Sequence, residues 1–222
     1  MSRDDSAPEK EGRAGRRAGA GKPAAAPMVT ATARTPWLLR LSESPVNYWA
    51  AYVVDFVLML FFLMWDVFRL RVGAVEVVAL FVAGLALWTF SEYAFHRWAY
   101  HMGFAMSKRG HERHHEDPTA SITMPFIITP LVFLPLQQLI ATGFGVRGFS
   151  TLLAGWFLGY IAYGLFHHIL HRYSFPFAWY RHLQSQHRIH HAVPDVNYGV
   201  TMRFWDRVFG TEFRPKRAPR SP

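Results

Sequence analysis

Ten of the twelve histidines in this 222-residue chain fall into four spaced clusters. They read His96-x4-His101, His111-x2-His114-His115, His167-x3-His171 and His187-x2-His190-His191. Neutral imidazole is the commonest metal ligand in proteins. Ten imidazoles beside hydrophobic segments read as one polynuclear metal site at a membrane surface. A chain that must gather four distant clusters has few folds open to it.

The sequence contains no cysteine. That excludes thiolate zinc sites, iron–sulfur clusters, thiolate haem and disulfides. Imidazole is then the only strongly coordinating side chain present in number. Hydrophobic residues make up 51% of the chain and aromatic residues 16%, but they are concentrated in its middle. Residues 1–34 are rich in Ala, Gly, Arg and Pro and cannot bury enough apolar surface to offset ordering entropy. The expected organisation is a disordered basic tail with an interfacial segment over 1–45, a membrane-embedded domain over 46–213 and a disordered tail over 214–222. No apolar signal peptide is visible at the N-terminus.

Four apolar segments fill the middle, at about 46–68, 75–95, 126–144 and 149–170. Each is near the ~20 residues that a helix needs to cross a bilayer core. Pro130, Pro135, Gln137 and Gln138 interrupt the third, which is therefore expected to be kinked or buried among its neighbours. Short connections pair the first with the second and the third with the fourth. The expectation is an all-α membrane protein: four transmembrane helices in two hairpins, with a cytoplasmic helical histidine-rich cap.

The formal net charge of +9 invites a nucleic-acid reading. The placement of the charges answers it. On a four-pass topology, 21 of the 24 Lys and Arg residues lie on one side, and only Arg69, Arg71 and Arg147 lie on the other. The positive-inside rule puts the crowded side, with both termini, in the cytoplasm. All four histidine clusters fall on that side, and no nucleic-acid partner is expected.

Residues three and four apart share a helix face. His111, His114 and His115 therefore converge if their segment is helical, as do His187, His190 and His191. His167 and His171 are one turn apart, and the five-residue step from His96 to His101 suits a relaxing helix end. Ten ligands fit two ions at five each. His168 points away from the His167/His171 face and His182 precedes the last triad, so both are expected outside the ligand set. Glu92, one turn before His96, is placed to accept that ring's other N–H, and Asp206 is placed to do the same for a late histidine. Asp55 lies inside the first segment, where an interhelical hydrogen bond is expected.

The runs EYAFHRWAYH, HERHH, HHILH and HRIHH, followed by NYGVTMRFWDRVFGT, resemble the fatty acid hydroxylase/sterol desaturase superfamily over about residues 46–213. That resemblance implies a membrane di-iron, O2-dependent oxidase acting on C–H bonds of lipids. It implies His96, His101, His111, His114, His115, His167, His171, His187, His190 and His191 as ligands to two iron ions. Zinc is a plausible substitute in purified protein, because nitrogen sites favour zinc over iron. Related 2-hydroxylases can carry a fused cytochrome b5 domain. These 222 residues include none, so a separate cytochrome b5-like or ferredoxin/reductase donor is expected.

The substrate expected is a fatty acyl chain or sterol-like lipid. A carotenoid ring hydroxylase and a lipid desaturase of the same superfamily stay open. A histidine-rich metal transporter fits less well, since transporters place ligands near the bilayer midplane. A zinc hydrolase leaves most of the histidines unexplained. Phe90, Trp156, Tyr160 and Tyr163 are candidate walls of a lipid channel, and Arg97, Arg172 and Arg181 are candidate contacts for an anionic headgroup.

Overall fold

The structure, a computed structural model, describes residues 36–103 and 105–215. The expected basic tail over 1–34 lies outside the described residues, as does 216–222 of the expected C-terminal tail. The described residues form helices and no strands. In order they are α1 (Trp37–Ser42), α2 (Pro45–Met64), α3 (Ala74–Ala94), α4 (Ala105–Glu116), α5 (Ile128–Gln137), α6 (Phe149–Arg172), α7 (Ala178–Ala192) and α8 (Phe204–Val208). Three of them run on into π-helical turns: α2 through Trp65–Arg69, α3 through Phe95–His101 and α5 through Gln138–Gly143.

Local chemistry sets the boundaries. Ser44 caps α2 by accepting from the Asn47 amide, and Pro45 occupies the first helical position, where a missing N–H costs nothing. Gly148, with φ of 82°, turns the chain into α6. One orphan amide at the start of α6 is met from the π turn that follows α2. The Asp66 carboxylate accepts from the Thr151 amide at 2.6 Å and from its hydroxyl at 2.9 Å.

The contacts fix the helix directions. Phe62 meets Phe157 at 5.6 Å between ring centroids, while Tyr48, earlier in α2, meets His168, later in α6. So α2 and α6 are antiparallel. By contrast α3 and α6 are parallel: Gly155 sits against Phe81 and Gly159 against Trp88. A Cβ on Gly155 would stand 2.0 Å from the Phe81 carbonyl oxygen, so these two backbones touch only because the residue is glycine.

Two parallel helices require the chain to return between them, and α5 makes the return. At one end Asn47 donates to the Met124 carbonyl at 3.3 Å and accepts from the Phe126 amide at 2.9 Å. At the other end Gln137 donates to Ser150 at 3.1 Å. Gln138 in turn donates to Gln137 at 3.0 Å. The two glutamines that interrupt the third apolar segment are therefore both paired, Gln137 across to α6 and Gln138 within its own segment.

Among the described residues, three helices are long and apolar enough to cross a membrane: Pro45–Arg69, Ala74–His101 and Phe149–Arg172. The apolar helix Ile128–Gly143 is shorter. A core of Leu58, Met59, Phe62, Leu153, Ala154 and Phe157 joins α2 to α6. Elsewhere these helices turn large apolar side chains outward, with Val53 64%, Val78 63% and Val82 57% exposed. Such faces suit hydrocarbon rather than water, and the chain is an integral membrane protein.

Candidate metal centre

Four elements deliver the ten clustered histidines to one end of the bundle. The π turn after α3 carries His96 and His101, α4 carries His111, His114 and His115, α6 carries His167 and His171, and α7 carries the last three. The π turn explains the five-residue step. In an α-helix, residues five apart diverge by about 140°. A turn closed by i→i+5 bonds brings them back to one side.

The ten imidazoles form two groups of five: His96, His101, His111, His115 and His190; and His114, His167, His171, His187 and His191. Within each group the candidate ligand atoms all lie within 4.8 Å of one another. In the first, Nε2 of His111 is 3.1 Å from that of His96, 2.9 Å from that of His101 and 3.0 Å from that of His115. In the second, Nε2 of His187 is 2.8 Å from those of His167 and His171 and 3.2 Å from that of His191.

The triads do not each converge on one point, as the sequence reading expected. His111 and His115 point into the first group and His114 into the second; His190 joins the first, with His187 and His191 in the second. Residues four apart share a face, while the third member lies about 100° from its neighbour. Each HxxHH therefore straddles both groups and ties them together, with the His115 and His191 rings stacked at 4.3 Å.

Electrostatics keep these rings neutral. Burial, followed by neighbouring imidazoles, lowers His114 to about 3 and His191 to about 2. Burial lowers His190 to about 3 against the opposing effect of its bond to the Val196 carbonyl. His111 and His187 are lowered further for the same reasons, and His115 is lowered by burial.

Two tautomers are fixed by carbonyls. His96 Nδ1 lies 2.5 Å from Tyr198 O, and His190 Nδ1 lies 2.8 Å from Val196 O. A carbonyl only accepts, so each Nδ1 carries the proton and each Nε2 presents a lone pair to the group. His114 Nε2 is buried and has no hydrogen-bond partner among the described residues. Converging lone pairs with no proton to share are the donor set of a cation. The residues fit two metal ions.

The two spare histidines stand apart. His168 pairs with the Tyr48 hydroxyl at 2.8 Å and with Arg172 at 3.1 Å, and His182 pairs with Arg203. Glu92 and Asp206 are buried but do not touch a histidine ring, contrary to expectation. Glu92 accepts from the amides of Val200 at 2.6 Å and Thr201 at 2.8 Å, and from the Thr201 hydroxyl. Asp206 accepts from the amides of Tyr198 and Gly199, each at 2.8 Å. The carboxylates hold the segment whose carbonyls orient the rings. Sequence reasoning missed Val196 and Tyr198 because their backbone acts, not their side chains. Asn197 between them is the one visible signal, a non-glycine residue with φ of 55° whose side chain bonds on both sides.

A cavity of about 190 Å³ opens against both groups, reaching His111, His114, His167 and His171. Tyr160 and Tyr163 line it as expected, and so does Arg172. Phe90 and Trp156 do not. Phe90 packs on Trp205 at 5.0 Å and Trp156 on Trp88 at 4.8 Å. Arg97 is turned to the Tyr93 hydroxyl at 2.8 Å, and neither it nor Arg181 lines the cavity. Asp55 does line it, and its Oδ1 has no hydrogen-bond partner among the described residues, so the interhelical bond expected of it is not seen at that oxygen.

The sequence model of the fatty acid hydroxylase family matches residues 81–211, a stretch that contains all ten clustered histidines and more than half of the chain. This chain belongs to the fatty acid hydroxylase family. It is similar to a ceramide very long chain fatty acid hydroxylase of Schizosaccharomyces pombe, 35% identical over 61% of this chain and 42% of that protein. It is also similar to a dihydroceramide fatty acyl 2-hydroxylase of Arabidopsis thaliana, 30% identical over 60% of this chain and 61% of that protein. The chain thus spans between two-fifths and two-thirds of these curated relatives. A solved structure of full-length scs7p, with only the hydroxylase domain visible, superposes with a TM-score of 0.66 at 25% identity, covering 82% of this chain and 72% of that one.

Proposed function

We propose that this member of the fatty acid hydroxylase family is a membrane-bound, O2-dependent oxidoreductase that hydroxylates a lipid acyl chain in lipid biosynthesis. The observation that carries the reading is the pair of five-histidine groups facing one cavity. His96, His101, His111, His115 and His190 would hold one iron ion, and His114, His167, His171, His187 and His191 the other. Bound iron supplies the activation of O2 and the removal of hydrogen from carbon, chemistry that no side chain here performs. Zinc would fill the same positions without that reactivity.

The protein's own residues bind and orient. Tyr160, Ile161, Tyr163 and Gly164 of α6 line the cavity beside His167 and give the acyl chain a shaped, mostly apolar wall. Transfer of methylenes from bilayer to cavity gains little, so shape and the polar head decide affinity. Arg172 lies at the end of α6, lines the cavity and is placed to meet a polar head. One oxygen atom of O2 enters the new hydroxyl and the other leaves as water. Two electrons and two protons come from outside, so a separate cytochrome b5-like or ferredoxin/reductase donor completes the turnover.

The names of the relatives point to an acyl chain carried on a ceramide-type lipid. We assign the membrane-embedded domain to 46–213, with four spans in two hairpins and with both termini and the histidine groups cytoplasmic, on the charge bias of the sequence. Expression in a host that makes ceramide-type lipids but does not hydroxylate their acyl chains, under 18O2, tests the reaction. The expected product is a hydroxylated acyl chain carrying 18O. A hydroxyl with oxygen from water would reject the mechanism, and an alkene with no added oxygen would move the assignment to desaturation.

A further inference from the structure

The two histidine groups differ in what stands behind them. In the first group, His96 and His190 each give their Nδ1 proton to a backbone carbonyl, of Tyr198 and Val196. These carbonyls belong to one short segment that two buried carboxylates hold rigidly. Asp206 takes the amides of Tyr198 and Gly199, and Glu92 takes those of Val200 and Thr201. Four consecutive amides are thus committed to two acids, one from α3 and one from α8. In the second group, Nδ1 of His187 and of His191 are both buried, and neither finds a partner among the described residues.

We propose that the two metal positions are inequivalent: the segment 196–201, held by Glu92 and Asp206, braces the position served by His96, His101, His111, His115 and His190, while the other position stays exchangeable. This rests on the reading of the two groups as metal sites. The physical reason is that a ring whose outer N–H is held by an acceptor keeps its tautomer and orientation and is a better donor. A ring with a buried, unpaired N–H carries a desolvation penalty and no rotational anchor. Loss of such outer partners commonly costs 10–100-fold in metal affinity, so a difference of at least about tenfold is expected between the positions. Glu92 and Asp206 are positioning residues in this scheme. They act through the Tyr198 and Val196 carbonyls and touch no ligand ring.

The test uses the full chain loaded with zinc(II), which is redox-inert, and a chromogenic chelator in excess. Two ions per chain are expected, one released at least about tenfold more slowly than the other. His114→Ala should keep a single ion, and that ion should be the slow one. Glu92→Ala should abolish the slow phase. Glu92→Gln should restore it, because the amide oxygen still accepts from Val200 and Thr201 while its NH2 group donates to the Thr201 hydroxyl. Should Glu92→Ala fail to fold, Asp206→Asn serves instead: it keeps one accepting oxygen and should speed the slow phase. Release of both ions in one phase from the unaltered protein overturns the proposal, as does a fast-releasing ion in His114→Ala. Fewer than two ions in the unaltered protein would instead count against the dinuclear reading itself.

Discussion

His96 Nδ1 lies 2.5 Å from the carbonyl oxygen of Tyr198, a residue 102 positions further along the chain. That bond joins the end of α3 to the segment before α8 and sets which nitrogen of His96 faces the group. The donor set is therefore built by tertiary structure as much as by the histidine motifs.

Removing one imidazole from a group should cost that group its ion. His190→Ala takes a donor from the first group and should lower metal content from two ions per chain toward one, with product formation falling to background. His168→Ala removes a ring bonded to Tyr48 and Arg172 and should leave both ions in place. Elemental analysis of the two variants separates the sets, and loss of metal from His168→Ala would place that ring among the ligands.

The orientation can be read with single cysteines, since the chain contains none. Lys108 lies on α4 beside the histidine groups, whereas Val146 lies in the connection before α6, at the opposite end of the bundle. Lys108→Cys should be shielded from an impermeant thiol reagent in intact cells, and Val146→Cys should react. The reverse labelling pattern would put the histidine groups outside the cytoplasm.

The helices were legible because apolar length and histidine spacing are local properties. Segments expected at 46–68 and 149–170 appear as Pro45–Arg69 and Phe149–Arg172. The second helix extends past its expected end to His101, because the π turn that joins His96 to His101 is helical. Spacing sets ten clustered histidines apart from His168 and His182, and it is those ten whose ring nitrogens lie together in the two groups. Their partition was not legible, because which member of HxxHH turns to which group depends on where α4 and α7 lie relative to α3 and α6. Glu92 serves the site through a different partner from the one its spacing predicts. Sequence shows that it lies one turn from His96, and only the fold shows that its carboxylate is taken up by the Val200 and Thr201 amides, while His96 bonds to the Tyr198 carbonyl of the same segment.

Acid should destabilise the protein. In the unfolded chain an imidazole takes up its proton near 6.5, whereas in the fold burial holds His114 at about 3, His190 at about 3 and His191 at about 2. Between those values the unfolded state binds more protons, so stability falls as pH drops from about 7 toward 3. Metal binding shifts with pH in the same direction, because protons compete for the same lone pairs. Thermal unfolding of metal-stripped protein at pH 7.5 and at pH 5.5 should show the lower midpoint at the lower pH. Equal midpoints would mean that these rings are solvated or already charged in the fold.

The parallel contact between α3 and α6 should be the most sensitive packing site in the bundle. A Cβ on Gly155 would stand 2.0 Å from the Phe81 carbonyl oxygen and 3.1 Å from the Phe81 Cα, which are backbone atoms that cannot rotate away. A Cβ on Gly84, across the same contact, would stand 2.1 Å from the Leu152 carbonyl oxygen. Gly155→Ala must therefore push the helices apart, at a cost of about 3 kcal/mol by the scale of overpacked cores. The displacement reaches the metal centre, since α3 leads to His96 and His101 while α6 carries His167 and His171. Val78→Ala, on an exposed face of α3, should change stability by about 0.5 kcal/mol or less. Unfolding in a fixed detergent and metal content measured on the same samples should fall together for Gly155→Ala and stay near the unaltered protein for Val78→Ala. A Gly155→Ala protein with unchanged stability would mean that the two helices are not in backbone contact at that level.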